Sequence, residues 1–143
     1  MLVANVLEGK GTTVVTVDAS ATVGEVVADL SRHRVGALVV SADGRRIDGI
    51  VSERDIVRHL SDLRASLLDE PVASIMSSSV RVCRPGDDVE SIMNIMTEHR
   101  IRHVPVVEDG RLCGIISIGD VVKSRIQELE KDRNELMEYI TAR

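Results

Sequence analysis

Two serine–aspartate pairs are the groups best placed to do chemistry. Ser52 with Asp55 and Ser117 with Asp120 share one spacing, and each follows a glycine and two apolar residues, Gly49-Ile50-Val51 and Gly114-Ile115-Ile116. At a helix start such a serine accepts from a backbone amide while the acid reaches back, the reciprocal arrangement of a capping box. The same geometry also suits a ligand. Free N–H groups at a helix start attract phosphate, the serine adds a hydroxyl, and a carboxylate accepts from vicinal ribose hydroxyls. Gly49 and Gly114 would let the strand backbone approach such a ligand closely. Capping and binding are compatible, and both stay open at this point.

Other candidate groups carry less. His99 and His103 have the spacing of two metal ligands on one helix face, but Ile101-Arg102 reads as a helix exit, so their rings should diverge and no metal site is expected. His33 and His99 suit helix C-termini, and His59 a solvated helix surface. Met76, Met93 and Met96 read as core filler. No Gly-x-Ser-x-Gly, Walker A loop or His-Glu-x-x-His occurs, so catalysis is not expected. Cys83 and Cys113 lack motif spacing, which suits a reducing cytosol better than a disulfide.

The elements that position the two pairs come from a duplication. Residues 14–57 recur at 80–122, and a fixed period of this kind decides architecture. Each copy begins with a β-rich run, Val14–Val17 or Val80–Cys83. A helical stripe follows: Val23, Val26, Val27 and Leu30 in one copy, Val89, Ile92, Met93 and Met96 in the other. Asp87 and Asp88 favour the second helix start, and both helices end at a His-Arg pair, His33-Arg34 and His99-Arg100. Two strands around Asp-Gly predict a hairpin in each copy, Ala37–Val40 with Ile47–Val51 and Val104–Val107 with Leu112–Ile116. The unit is β-α-β-β-α, twice, with the second copy one residue shorter in the hairpin loop. Between the copies, Leu60–Asp69 reads as a helical extension and Glu70–Met76 as a short helical connector with Pro71 at its first position. After residue 122 an amphipathic helix carries Ile126, Leu129, Arg133, Leu136 and Ile140 on one face, too long for the repeats to cover.

Composition bounds the function. A chain of 143 residues with 43% hydrophobic and 29% charged residues is one ordinary globular module. Its core must be aliphatic, since it has no Phe, no Trp and only Tyr139. A net charge of −5 and the missing aromatic platforms argue against nucleic acid. No apolar run is long enough to span a membrane, and Met1–Lys10 lacks the basic start and cleavage site of a signal peptide. A cytoplasmic protein without membrane contact is expected.

The duplicated β-α-β-β-α unit, with His-Val-Pro-Val-Val-(x)₂-Gly-(x)₃-Gly-Ile-Ile-Ser-(x)₂-Asp over residues 103–120, resembles a tandem cystathionine-β-synthase (CBS) domain pair, or Bateman module, of the stand-alone bacterial type. The first copy departs from that pattern, with Gly36-Ala37-Leu38-Val39-Val40 where the second has Arg102-His103-Val104-Pro105-Val106. The resemblance implies an α/β fold of two β-α-β-β-α repeats with pseudo-two-fold symmetry and a long C-terminal helix. It divides residues 1–143 into a first repeat at 8–60, a second at 71–124 and a helical extension at 125–143. It also implies a non-catalytic regulatory module binding AMP, ADP, ATP or NAD-like adenosyl ligands in clefts between the repeats, with no catalytic cofactor. Such a module forms a homodimer and acts on a protein target supplied in trans.

Carried onto this chain, the resemblance assigns ribose to Asp55 and Asp120 and phosphate to Ser52 and Ser117. Val35, Gly36, Ala37, Leu38 and Arg54 of the first copy would contact base or phosphate. So would Ile101, Arg102, His103, Val104 and Pro105 of the second, while Val17 and Cys83 line the base pocket. Because such clefts mix the copies, Asp55 is expected beside Arg102 and His103, and Asp120 beside Gly36 and Ala37. Arginine can hold phosphate bidentately, so the Asp55 site is expected to take the more charged phosphate and the Asp120 site to be weaker. A ligand-free assembly or adaptor module is the alternative.

Overall fold

The computed structural model describes residues 1–142. A short helix, α1 (Val3–Lys10), precedes the first repeat: β1 (Thr16–Val17), α2 (Val23–His33), β2 (Ala37–Val40), β3 (Gly49–Ser52) and α3 (Glu53–Leu63). Two 3₁₀ segments, Arg64–Asp69 and Val72–Ser74, lead to the second: α4 (Val89–His99), β4 (His103–Glu108), β5 (Arg111–Ser117) and α5 (Ile118–Thr141). The expected helical extension over Leu60–Asp69 breaks at Arg64, whose φ of 51° no α-helix accommodates. No helix of the described residues is long and apolar enough to cross a membrane.

β1 pairs parallel with β2, and β2 antiparallel with β3. In the second repeat β4 and β5 pair antiparallel, and the strand expected over Val80–Cys83 shrinks to one parallel bridge from Cys83 to Val106. Pro105 explains the loss. In the first repeat the Val39 N–H donates to the Val15 carbonyl at 3.4 Å; the equivalent donor is Pro105, which has no N–H. The next bond survives in both, Ser41 to Val17 and Val107 to Cys83, each at 2.8 Å.

The two Asp-Gly turns differ. Asp109 and Gly110, with φ of 52° and 75°, make the two-residue turn that β-hairpins favour. In the first repeat the strands stop at Val40 and resume at Gly49, so the expected tight hairpin is a broad loop. Asp43 organises it instead: its carboxylate accepts from the Arg45 and Arg46 amides at 2.9 and 2.8 Å. Both repeat helices end on an arginine in the left-handed region, Arg34 and Arg100, each with φ 54° and a cap amide returned to the last turn.

Two aliphatic cores result, and each is closed by a segment from outside its own repeat. Val17, Val23, Val26, Leu30, Leu38, Val40 and Val51 pack under Leu67, Val72 and Ile75 of the connector. Cys83, Val89, Ile92, Met96, Val104, Val106, Ile116 and Val121 pack under Val3 and Leu7 of α1. The closing segments are themselves copies: Val3-Ala4-Asn5-Val6-Leu7 matches Val72-Ala73-Ser74-Ile75-Met76. Their bonds match as well. Val3 donates to the Asp87 carbonyl at 2.9 Å and Val72 to Ala21 at 2.7 Å; Ala4 donates to Pro85 at 2.9 Å and Ala73 to Ala19 at 3.2 Å. Each repeat thus lends its leading segment to the other. Burying one such leucine or valine contributes roughly 1.5–3 kcal/mol, so the exchange ties the halves together.

Candidate ligand site at the paired helix starts

Strand β3 runs directly into α3, and β5 into α5, so Ser52 and Ser117 become N-caps at matching places. Both capping boxes form. The Ser52 and Ser117 amides each donate to Oδ2 of the acid at 2.8 Å, and the Asp55 and Asp120 amides return to the serine oxygens at 3.4 and 3.2 Å. Ser52 Oγ also donates to Asp55 Oδ2 at 3.0 Å. Just behind, the Glu53 amide donates to the Gly36 carbonyl and the Ile118 amide to the Arg102 carbonyl, at 3.0 and 2.8 Å. Each helix start is thereby fixed against the chain entering β2 or β4.

The boxes leave the carboxylates incompletely used. In Asp55 and Asp120 every protein hydrogen bond falls on Oδ2, and both side chains are half-buried rather than sealed. Their surroundings differ. Lys10, at the end of α1, donates from Nζ to Asp120 Oδ2 at 2.7 Å and to the Ile115 carbonyl at 2.9 Å. Burial acts against the Asp120 charge most strongly, but the Lys10 and Ser117 hydrogen bonds outweigh it and hold the carboxyl below its usual range. Among the described residues Asp55 has no ion-pair partner.

The repeats meet at Gly36. A Cβ there would lie 3.1 Å from Glu53 Oε1 and 3.1–3.2 Å from the His103 ring, so the imidazole reaching across from β4 packs tightly over this glycine. Burial drives the His103 pKa below its ordinary value; the nearby charges of Glu53, Lys10, Asp120 and Arg102 act on it in both directions. Expected neighbours therefore come together in part. Gly36 and His103 join the copies, and charges from both helix starts, Glu53 and Asp120, act on His103.

The depressed group is a base, so in the unfolded chain His103, at its ordinary 6.5, takes up a proton first. Its contribution to stability is complete above that value and is lost as the pH falls below it. Between about pH 7.5 and about pH 5.5 the melting temperature of His103→Gln should fall less than that of the wild type. Equal falls would clear His103 as the titrating group.

The remaining expected contacts divide by burial. Val35, Arg54 and Arg102 are exposed, and Ile101 is intermediate. Val17, Ala37, Leu38, Cys83, Val104 and Pro105 are buried, and the Val17, Leu38, Cys83 and Val104 side chains belong to the two cores. Their side chains face core neighbours in this structure. Burial, chiefly, pushes the Cys83 thiol up to about 12, which makes it a packing group, and both cysteines are free.

The space over Gly49 and Gly114, expected to admit a ligand, is taken by the protein itself. A Cβ on Gly49 would lie 2.6 Å from Met76 Sδ and 2.9 Å from the Ser77 carbonyl; one on Gly114 would lie 2.7 Å from Leu7 Cδ2. Each glycine receives the exchanged leading segment. Lys10 is the site residue that sequence reasoning missed. The match of 3–7 to 72–76 was the available signal, because it places the end of α1 over β5. Two open grooves flank the seam. One, of about 450 Å³, takes in Arg34, Val35, Gly36, Glu53, Ile56 and Val57. The other, of about 310 Å³, takes in Arg46, Ile47, Val80, Val82 and Val107.

Comparison with known proteins gives consistent matches. The family model for the CBS domain matches residues 11–62 and 72–126. The crystal structure of the CBS-domain containing protein ATU1752 from Agrobacterium tumefaciens is 44% identical, with a TM-score of 0.85 over 87% of this chain and 99% of that one. The CBS domain protein PAE2072 from Pyrobaculum aerophilum, solved complexed with AMP, is 34% identical with a TM-score of 0.74 over 84% and 89%. The mitochondrial CBS domain-containing protein CBSX3 of Arabidopsis thaliana is 36% identical over 83% of this chain, which spans 60% of that protein's length.

Proposed function

This chain belongs to the CBS domain family, and from that premise we propose that it is a regulatory module binding an adenosine-containing ligand at its two Ser-x-x-Asp helix starts. The observation that supports this most is the unused oxygen of each capping carboxylate. Asp55 and Asp120 are held in place by their own helices, yet each keeps one oxygen for a donor outside the protein, which a ribose hydroxyl supplies. AMP on the relative PAE2072 favours AMP, ADP, ATP or NAD as the ligand class. Arg102 and His103 are the side-chain donors nearest the seam for a phosphate. The module acts without catalysis: a ligand between the repeats shifts the population of conformations that differ in their relative tilt, and a protein target in trans reads the shift.

A thermal-shift series with AMP, ATP, NAD and S-adenosylmethionine tests this. Ligand at a hundred times its Kd stabilises by about 2.7 kcal/mol, enough to raise the melting temperature by several degrees with no product formed. No rise with any of the four would favour the assembly-module alternative.

The two sites are unequal in this reading because Lys10 sits on Asp120 and nothing equivalent sits on Asp55. An ammonium on the carboxylate weakens it as an acceptor for neutral hydroxyls. Lys10→Met should therefore tighten adenosine binding at the second site about fivefold, the equivalent of a half-exposed ion pair worth about 1 kcal/mol. Adenosine is the right probe, since a phosphate would also feel the lost lysine charge. Isothermal titration showing unchanged or weaker adenosine binding would refute the role given to Lys10.

A further inference from the structure

The ligand reading leaves the outer face of α5 unused. Val122, Ile126, Leu129, Leu136 and Ile140 are 50, 51, 54, 59 and 57% exposed, while only Val121 and Ser124 of this helix are buried. With Arg133 completing the row, the steps between these positions alternate four and three. That is the seam of a heptad repeat, with Ile126, Arg133 and Ile140 at a and Val122, Leu129 and Leu136 at d. A helix packing only on its own domain keeps a broader, less regular stripe. Ordinary core packing does not require this spacing to continue along the exposed length of α5.

We propose that residues 122–140 form a parallel, in-register two-stranded coiled coil with the same segment of a second copy. The flanking charges select both partner and direction. In parallel register Arg125 at g faces the partner's Glu130 at e, and the two-fold axis repeats the pair. Arg133 at a lies beside the partner's Asp132 at g, which offsets the cost of a cation in the seam and pins the register. Full antiparallel overlap would instead bring Glu130 against the partner's Glu130 and Asp132 against the partner's Asp132. Arg125 already reaches Glu128 of its own helix at 3.2 Å, and a guanidinium has donors enough for both. The helix carries six acidic against four basic residues, which disfavours an anionic membrane as occupant. The inference does not depend on nucleotide binding.

Cysteine cross-linking in a Cys113→Ser background tests it, leaving buried Cys83 in place. Leu129→Cys and Leu136→Cys should each oxidise to a dimer of twice the 15.6 kDa chain, and Gln127→Cys, on the outer face, should not. Adding Arg125→Glu to Leu129→Cys should cut the cross-linked yield severalfold, and adding Glu130→Arg as well should restore it. Links formed only between Ile126→Cys and Leu136→Cys chains in a mixture, and not within either, would show antiparallel pairing and overturn the proposal. So would equal linking at Gln127→Cys, no linking at all, or capture of the monomer by anionic phospholipid vesicles. The substituted α5 side chains are all exposed, and Cys113→Ser is a near-isosteric change at a half-buried position, so the fold survives each change.

Discussion

Asp55→Asn should weaken binding of an adenosine ligand at the first site by about 30- to 100-fold while leaving the fold intact, the loss expected for about 2–3 kcal/mol of charge-assisted hydrogen bonding. The side chain has two duties that the substitution separates. As a cap, it accepts the Ser52 amide and hydroxyl on one oxygen, and an asparagine carbonyl can accept the same bonds. As a ligand group, it would offer its second oxygen, which in asparagine becomes an NH₂ that cannot accept from a hydroxyl. Melting temperature without ligand should therefore stay close to wild type, while isothermal titration with AMP loses one of its two binding events. The matching change at Asp120 should cost less, because Lys10 already occupies that carboxylate. Unchanged affinity in Asp55→Asn would remove the carboxylate from the ligand and leave the box as a cap alone.

The capping boxes were legible in the sequence because they are local: four residues span the whole device, and both copies carry it. The β4–β5 hairpin was legible for the same reason, since Asp109-Gly110 suits its turn chemistry. The residues expected to face a ligand were less so. Val17, Leu38, Cys83 and Val104 came from the family resemblance, which gives place along a strand without saying which face is covered. All four residues of β2 are buried, so alternation could not separate ligand side from core side.

Lys10 was hidden by distance. Its partner Asp120 lies 110 residues away, and the segment that carries it repeats the connector only loosely, with Val6 for Ile75 and Leu7 for Met76. The local conformation differs too, α-helix in one case and a 3₁₀ turn in the other. Once the exchange of leading segments is seen, the asymmetry follows directly. Residues 8–10 after Leu7 are Glu-Gly-Lys, whereas the residues after Met76 are three serines. The duplication supplies two equivalent carboxylates, and the divergence of these short tails places a cation on only one of them.

The same exchange makes Gly49→Ala the most damaging single methyl in the chain, with an expected loss of about 3 kcal/mol, the upper part of the range for forced overpacking. The new Cβ would meet Met76 Sδ at 2.6 Å and the Ser77 carbonyl oxygen at 2.9 Å. A thioether can turn aside, but that carbonyl cannot. Ser77 and Ile50 exchange both of their backbone hydrogen bonds at 2.9 Å, so retreat breaks the bridge that fastens the connector to β3. Val72 and Ile75 of the same connector close the first core and would be loosened with it. For a chain of this size the melting temperature should fall by roughly 10 °C. Gly114→Ala provides the contrast, because its Cβ meets only the Leu7 side chain, at 2.7 Å. It should cost about half as much, and adding Leu7→Ala should make the double variant more stable than the sum of the single losses predicts. A Gly49→Ala protein that melts with the wild type, or a Gly114→Ala protein that melts below the Gly49→Ala protein, would mean that the exchanged segments do not grip the repeats through these glycines.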